Sequence, residues 1–75
     1  MKIEYDDKFD LLYIRFDETT QDIVNQRVSN NIVLDIGKND KIVGIEILDA
    51  KEVIDLGNIL PVNYFNFRKE NLISA

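Results

Sequence analysis

The chain has 75 residues, of which 45% are apolar and 31% are charged, and it contains no cysteine and no histidine. This composition is typical of one small globular domain, and it excludes disulfides, a thiol nucleophile, an imidazole base and the usual zinc sites. The formal net charge of −5 argues against DNA or RNA binding, because such proteins usually carry a basic stripe. We therefore expect no cofactor, no metal and no nucleic-acid partner.

The first ten residues, MKIEYDDKFD, contain no apolar segment of the kind that a secretory signal needs. The apolar runs, such as LLYI, are far shorter than the roughly 20 residues of a membrane span. We therefore expect a cytoplasmic protein with no membrane partner.

Alternation of apolar and polar residues dominates the first two thirds of the chain and predicts a mainly β protein. Residues 2–5 and 10–16 flank the loop DDKF and predict a hairpin in which Ile3 lies opposite Leu12. A weaker strand is predicted over residues 22–28. Its Asn-Gln-Arg interior lacks a clean apolar alternation, so we place this strand at a sheet edge.

Residues 31–36 and 41–48 flank GKND and predict a second hairpin in which Leu34 lies opposite Val43. Together the two hairpins predict a core of Ile3, Leu12, Ile14, Phe16, Ile32, Leu34, Val43, Ile45 and Ile47, and Tyr5 shares the face of the first hairpin's members. The opposite face carries Val33, Asp35, Ile42, Gly44 and Glu46. Gly44 leaves a gap that admits a side chain from a neighbouring strand, helix or subunit. A bulge or simple close packing also explains a glycine here, and we favour that explanation.

After the last strand, DAKEVIDLGN predicts a short helix that returns to the sheet. Asp49 is the expected N-cap, Glu52 completes a capping box, and Gly57 suits the left-handed position after the helix. Residues 1–58 are thus predicted to form one small domain, an antiparallel sheet of about five strands followed by this helix. Residues 59–75 form an aromatic tail that we expect to pack on the same or a neighbouring subunit.

Carboxylates are the plausible catalytic groups present in number. In the predicted register, Asp35 and Glu46 share a face with Tyr13, Arg15 and Glu4. One interpretation is an anion or carboxylate contact by Arg15; the other, which we favour, is an ordinary cross-strand salt bridge on a solvated face. The aspartates of the two hairpin loops lack the spacing of a calcium loop and are interpreted as turn residues.

The segments YDDKFDLLYIRF and NIVLDIGKNDKIVGIEILDA resemble the bacterial and archaeal family of small proteins known as domain of unknown function twenty-two eighty-three. The resemblance covers roughly residues 2–50, and its specific feature is GIEILDA following LYI at this distance. The family often has glycine near Asp40, so Asn39 or Asp40 must take any left-handed conformation in that turn. The resemblance implies a small β domain with a C-terminal helix and no established activity, and it suggests an antitoxin-like partner role.

The sequence predicts more exposed apolar surface than a small monomer usually has, because Leu11, Tyr13, Val33 and Ile42 lie opposite the core. We favour a protein–protein interaction module, either a homodimer anchored by the tail or the partner of another small protein. The alternative is a small ligand-binding protein or enzyme that uses the carboxylate and arginine cluster. The candidate interaction residues are Tyr13, Arg15, Asp35, Gly44, Glu46, Tyr64, Phe65 and Phe67.

Overall fold

The computed structural model describes residues 1–59 and two short strands near the C-terminus. Its main element is a five-stranded antiparallel sheet of β1 (Lys2–Asp6), β2 (Leu11–Arg15), β3 (Val24–Arg27), β4 (Ile32–Ile36) and β5 (Ile42–Leu48). The one-turn helix α1 (Ala50–Val53) and a 3-10 turn (Leu56–Asn58) follow the sheet, and the short strands β6 (Phe65–Asn66) and β7 (Asn71–Leu72) pair with each other. The predicted fold class, a mainly β protein with five strands and a short helix, is confirmed.

The strands of the sheet lie in the order β1-β2-β5-β4-β3. The hairpin of β1 and β2 joins the hairpin of β4 and β5 through the β2–β5 pairing, and β3 lies on the far side of β4. The predicted edge position of β3 is confirmed, although the strand is shorter than the predicted residues 22–28.

The first hairpin is shifted by two residues from its predicted register, because Ile3 lies opposite Ile14 and not opposite Leu12. The strand β1 continues to Asp6, whose carboxylate accepts two backbone N–H groups of the turn at 3.0 and 3.3 Å. A shift of two residues leaves every side chain on its predicted face, since side chains alternate with a period of two.

The second hairpin is shifted in the same way, with Leu34 opposite Ile45. The register changes near the turn and leaves Val43 as the extra residue of a β-bulge, so its predicted pairing with Leu34 is wrong. The bulge also pairs Ile42 with Ile36 on the core face, so the predicted position of Ile42 opposite the core is wrong. In the turn, Asn39 and Asp40 have φ values of 60° and 59°. The expectation that these residues take the left-handed conformation is confirmed.

The predicted helix is wrong in its extent and in its capping residues. The helix α1 ends at Val53, and Asp55 begins the 3-10 turn by accepting the backbone N–H of Gly57 at 3.1 Å. Asp49 makes no side-chain cap; it has a left-handed conformation, with φ of 52°, which directs the chain from β5 into α1. Gly57 has no positive φ and so is not a left-handed cap.

The cap of α1 comes from Asp10, in the turn of the first hairpin. Both carboxylate oxygens of Asp10 lie 3.2 Å from the backbone nitrogen of Lys51, and its carbonyl accepts the N–H of Ala50 at 2.9 Å. The Tyr5 hydroxyl donates to the same carboxylate at 2.7 Å. Asp10 therefore ties the start of α1 to the first hairpin, and Asp49 is free to take its turn conformation.

The core lies where α1 and the 3-10 turn cover one end of the sheet. Its buried residues are Leu12, Ile47 and Ala50, packed against Ile3, Tyr5, Ile14, Ile45, Ile54, Leu56 and Ile59. Phe16 lies at the other end, which these elements do not reach; it is 46% exposed, so its predicted core position is wrong. Ile32 and Leu34 are only half-buried. Among the described residues, no helix is long and apolar enough to cross a membrane.

Candidate functional site

Two rows of side chains cross the face of the sheet opposite the main core. The strand pairings place Glu4, Tyr13, Glu46, Val33 and Arg27 in the first row. They place Lys2, Arg15, Gly44, Asp35 and Asn25 in the second row. The structure therefore brings together all five candidate residues that were predicted on this face. Val33, which was expected to leave apolar surface exposed, is buried between its polar neighbours at 8% exposure.

Gly44 lies at the centre of the second row, and its missing side chain makes room for Tyr13. A Cβ atom at Gly44 would lie 2.5 Å from the Tyr13 hydroxyl oxygen and 2.9 Å from Cζ of the ring. The Tyr13 ring thus crosses from β2 over β5 and donates its hydroxyl to Oδ2 of Asp35 on β4, at 2.5 Å. Gly44 therefore admits a side chain from a neighbouring strand, and the bulge lies one residue earlier at Val43.

Asp35 is the buried centre of this cluster, with 4% of its surface exposed. Its Oδ2 accepts from Tyr13, but its Oδ1 is buried without a donor in the hydrogen-bond network of the described residues. A buried polar atom left unpaired is unfavourable by about 1 to 3 kcal/mol. A neighbouring group that carries a proton would therefore stabilise Asp35.

Glu46 is the neighbour of Asp35 whose pKa is raised. A hydrogen bond with Asp35, followed by burial and by repulsion from the Asp35 charge, raises the pKa of Glu46 to about 7. Two carboxyl groups in contact favour a shared proton, because two negative charges in a partly buried site repel each other. A protonated Glu46 has a hydrogen that it can donate to Asp35.

Tyr13 and Arg15 complete the cluster on the side of β2. Burial and the hydrogen bond to Asp35 raise the pKa of Tyr13 to about 12, so the phenol keeps the proton that it donates. The guanidinium carbon of Arg15 lies 4.8 Å from the centroid of the Tyr13 ring, which is a cation–π distance. Nη2 of Arg15 lies 3.7 Å from Glu4 Oε1. The cross-strand salt bridge favoured from the sequence is thus present, but the face is not solvated throughout, because Asp35 on it is buried.

These polar groups do not converge on one cavity in the described part of the chain. A depression of about 230 Å³ beside Tyr13 and Arg15 is lined by residues of β1 and β2 and includes neither Asp35 nor Glu46. A larger depression of about 490 Å³ lies along residues 51–57, away from the cluster. Ligand sites usually place several polar groups around one concave pocket. The cluster instead joins β2, β5 and β4 through contacts among its own side chains.

The edge strand β3 is the most exposed element of the sheet. All four of its residues are exposed; Val24, its first residue, and Val28, directly after its last, are 69% and 58% exposed. Within the described residues, no strand pairs with its outer edge. The other edge, β1, carries Lys2, Glu4 and Asp6, and such charged residues disfavour pairing with another strand. Of the two edges that are unpaired among the described residues, β3 is therefore the one better suited to pair with another strand.

Sequence reasoning placed β3 at an edge but did not include Val24 and Val28 among the candidate residues. The signal that identifies them is a polar segment flanked by valines in a strand predicted at a sheet edge. Such a strand leaves its main-chain groups and both valines accessible to a partner. The tail candidates Tyr64 and Phe67, and the side chain of Phe65, lie outside the described residues.

The fold and the sites define a small antiparallel-sheet protein with an internal polar cluster and an open edge strand. The chain belongs to the family described as Protein of unknown function (DUF2283), whose model matches residues 2–51. The match spans all five strands of the sheet and the first residues of α1. It confirms the resemblance found in the sequence. No curated protein and no solved structure matches the chain.

Proposed function

We propose that the chain is a protein–protein interaction module that binds by strand addition at the outer edge of β3. The observation that carries this proposal is the exposure of the whole strand together with the valines at its ends. In strand addition, main-chain hydrogen bonds provide affinity and alternate side chains provide specificity. Both kinds of group are accessible on β3.

The hydrogen-bond pattern identifies the main-chain groups that a partner would use. The N–H of Val28 donates to the carbonyl of Ile32 at 2.8 Å, directly across the β3–β4 pair. Residues of an antiparallel pair alternate between bonding to the neighbouring strand and pointing away from it. Asn25 and Arg27 therefore direct their N–H and C=O groups away from β4, toward the open edge.

The apolar face of the sheet also favours the β3 edge as the binding surface. Val24 lies opposite Ile36, and residues opposite each other share a face, so Val24 extends the half-buried apolar face of β4. A strand added beside β3 would cover the exposed apolar surface at Val24. A domain of this size gains from association, because its own core buries little surface.

The polar cluster supports a structural role more than a catalytic one. Its groups are directed at each other, and the depression beside Arg15 does not reach the carboxyl pair. The antitoxin-like role suggested by the family resemblance is the form of this proposal in which another small protein supplies the added strand. The tail residues Tyr64, Phe65 and Phe67 stay predicted anchors of an interface.

Asn25→Pro tests the proposal, since proline removes one outward N–H and blocks close approach of a strand, yet is tolerated at a sheet edge. The matched control is Asn25→Thr, which keeps the N–H. We expect assembly of the chain, with itself or with another protein of its native cell, to be lost in Asn25→Pro and kept in Asn25→Thr. Sedimentation of the purified chain and size-exclusion of native-cell extract measure the assembly, and circular dichroism checks the fold. Assembly that persists in Asn25→Pro, or a monomer in both settings, would overturn the proposal.

A further inference from the structure

We propose that the strand added to β3 is the β3 of a second copy of this chain, paired antiparallel about a two-fold axis at Gln26. This inference rests on the proposed role of the β3 edge and identifies its partner. In this arrangement Asn25 of each copy lies opposite Arg27 of the other. The two five-stranded sheets then become one continuous sheet.

The backbone restricts the possible registers. Asn25 and Arg27 carry the outward main-chain groups, so these residues must form the hydrogen-bonded pairs of any antiparallel interface. Three symmetric registers centred on the strand satisfy this condition: Asn25 opposite Arg27, Asn25 opposite itself, and Arg27 opposite itself. The first of these forms two such pairs inside β3.

The side chains select among the three registers. Arg27 opposite itself places like charges together, which is destabilising. Asn25 opposite itself sets Val28 against Asp22, an apolar residue against a charged one. Asn25 opposite Arg27 sets Val24 against Val28 in both copies, and these valines are 69% and 58% exposed in the single chain. β3 is therefore self-complementary in its hydrogen bonds and its apolar pairs, and this register keeps the two Arg27 charges apart.

The apolar faces of the two copies are also continuous in this register. Val24 and Gln26 lie opposite Ile36 and Leu34, on the face that α1 leaves half-covered at β4. Pairing through β3 places this half-covered apolar surface of one copy beside that of the other. Each copy carries a net charge of −5, so we expect the dimer to tighten as added salt screens the repulsion between copies.

Disulfide trapping tests the register, because the chain contains no cysteine of its own. Residue 26 lies opposite its own copy at a non-hydrogen-bonded position, where Cα atoms are about 4.5 Å apart, a separation that a disulfide spans. We expect Gln26→Cys to form a covalent dimer under mild oxidation at least about tenfold faster than Asn25→Cys or Arg27→Cys. Non-reducing electrophoresis measures the three rates, and sedimentation of each reduced variant confirms that it still associates.

The outcomes separate this inference from the proposed function. The inference is supported if the disulfide forms fastest at residue 26 and if Asn25→Pro abolishes the dimer. Fastest trapping at residue 25 or 27 overturns the register and leaves the β3 edge as the binding surface. Weak complexes are detected at concentrations up to about 100 µM. A purified chain that stays monomeric over this range therefore overturns self-pairing. A dimer that Asn25→Pro does not change overturns both.

Discussion

Gly44 and Tyr13 depend on each other, because the Tyr13 ring occupies the space that any larger residue at position 44 would need. We expect Gly44→Ala to displace Tyr13 and weaken its hydrogen bond to Asp35. Overpacking of this kind lowers the free energy of unfolding by about 1 to 3 kcal/mol. Urea denaturation followed by circular dichroism measures the loss.

Gly57→Ala is the matched control for Gly44→Ala. A Cβ atom at Gly57 would lie 3.4 Å from Asp55 Oδ1, which is an ordinary contact, and Gly57 has no positive φ. We expect its free energy of unfolding to change by less than about 0.5 kcal/mol. Equal losses at the two glycines would show that the tyrosine contact does not explain Gly44.

Glu46 gives the stability of the protein a pH dependence whose sign follows from its raised pKa. The ordinary pKa of 4.5 rises to about 7 in the folded chain, so the folded state holds the proton more tightly than the unfolded state. The stability contributed by this proton is complete below pH 4.5 and is lost as the pH rises through about 7. We expect the melting temperature to fall from pH 5 to pH 8 for this reason.

Glu46→Gln tests the origin of that pH dependence, because a glutamine amide donates to Asp35 at every pH. We expect its melting temperature to change less between pH 5 and pH 8 than that of the parent. Glu52→Gln, on the exposed side of α1, should keep the parental profile. A parent that is more stable at pH 8 than at pH 5 would contradict the shared proton.

At the scale of elements, α1 is a single turn whose start depends on a residue from the first hairpin. Removing the carboxylate in Asp10→Ala leaves the N–H of Lys51 unpaired, and we expect a loss of about 0.5 to 2 kcal/mol. Asp10 has a left-handed conformation, with φ of 51°. Asp10→Asn keeps an acceptor oxygen and tolerates this conformation, so it should lose less. Thermal denaturation of the three proteins gives the order.

Substitution of Asp49 is expected to have a different effect from substitution of Asp10, because Asp49 contributes a backbone conformation and no cap. We expect Asp49→Gly to be neutral or slightly stabilising, because glycine adopts positive φ without strain. The same denaturation series measures this variant. A larger loss in Asp49→Gly than in Asp10→Ala would mean that Asp49, and not Asp10, stabilises the start of the helix.

At the scale of the whole molecule, the proposed pairing through β3 would couple stability to protein concentration. A dimer that unfolds to monomers melts at a higher temperature as its concentration rises. We expect Val24→Lys to remove this dependence, because it replaces an apolar contact in the interface with a charge. Val53→Lys, on the exposed part of α1, should keep it. Scanning calorimetry over a hundredfold concentration range makes the measurement, and a parent without any dependence would contradict the dimer.

Much of the fold follows from the period of the sequence, and so does the membership of the polar cluster. Alternation placed Tyr13, Arg15, Asp35 and Glu46 on one face, and it survives a register error because a slip of two residues changes no face. The contacts within that face do not follow from alternation. That Tyr13 reaches over Gly44 to a third strand depends on the true register of both hairpins.

The sequence by itself determined the fold class, the edge position of β3, the left-handed turn residues and the family of the chain, because each depends on local pattern or composition. The tertiary structure alone decided the register, the residues that are buried, and the cap of α1. Asp10 caps a helix that begins 40 residues further along the chain, and no local preference identifies such a partner. Burial likewise depends on which element covers which end of the sheet, so Phe16 is exposed although its strand neighbours are in the core.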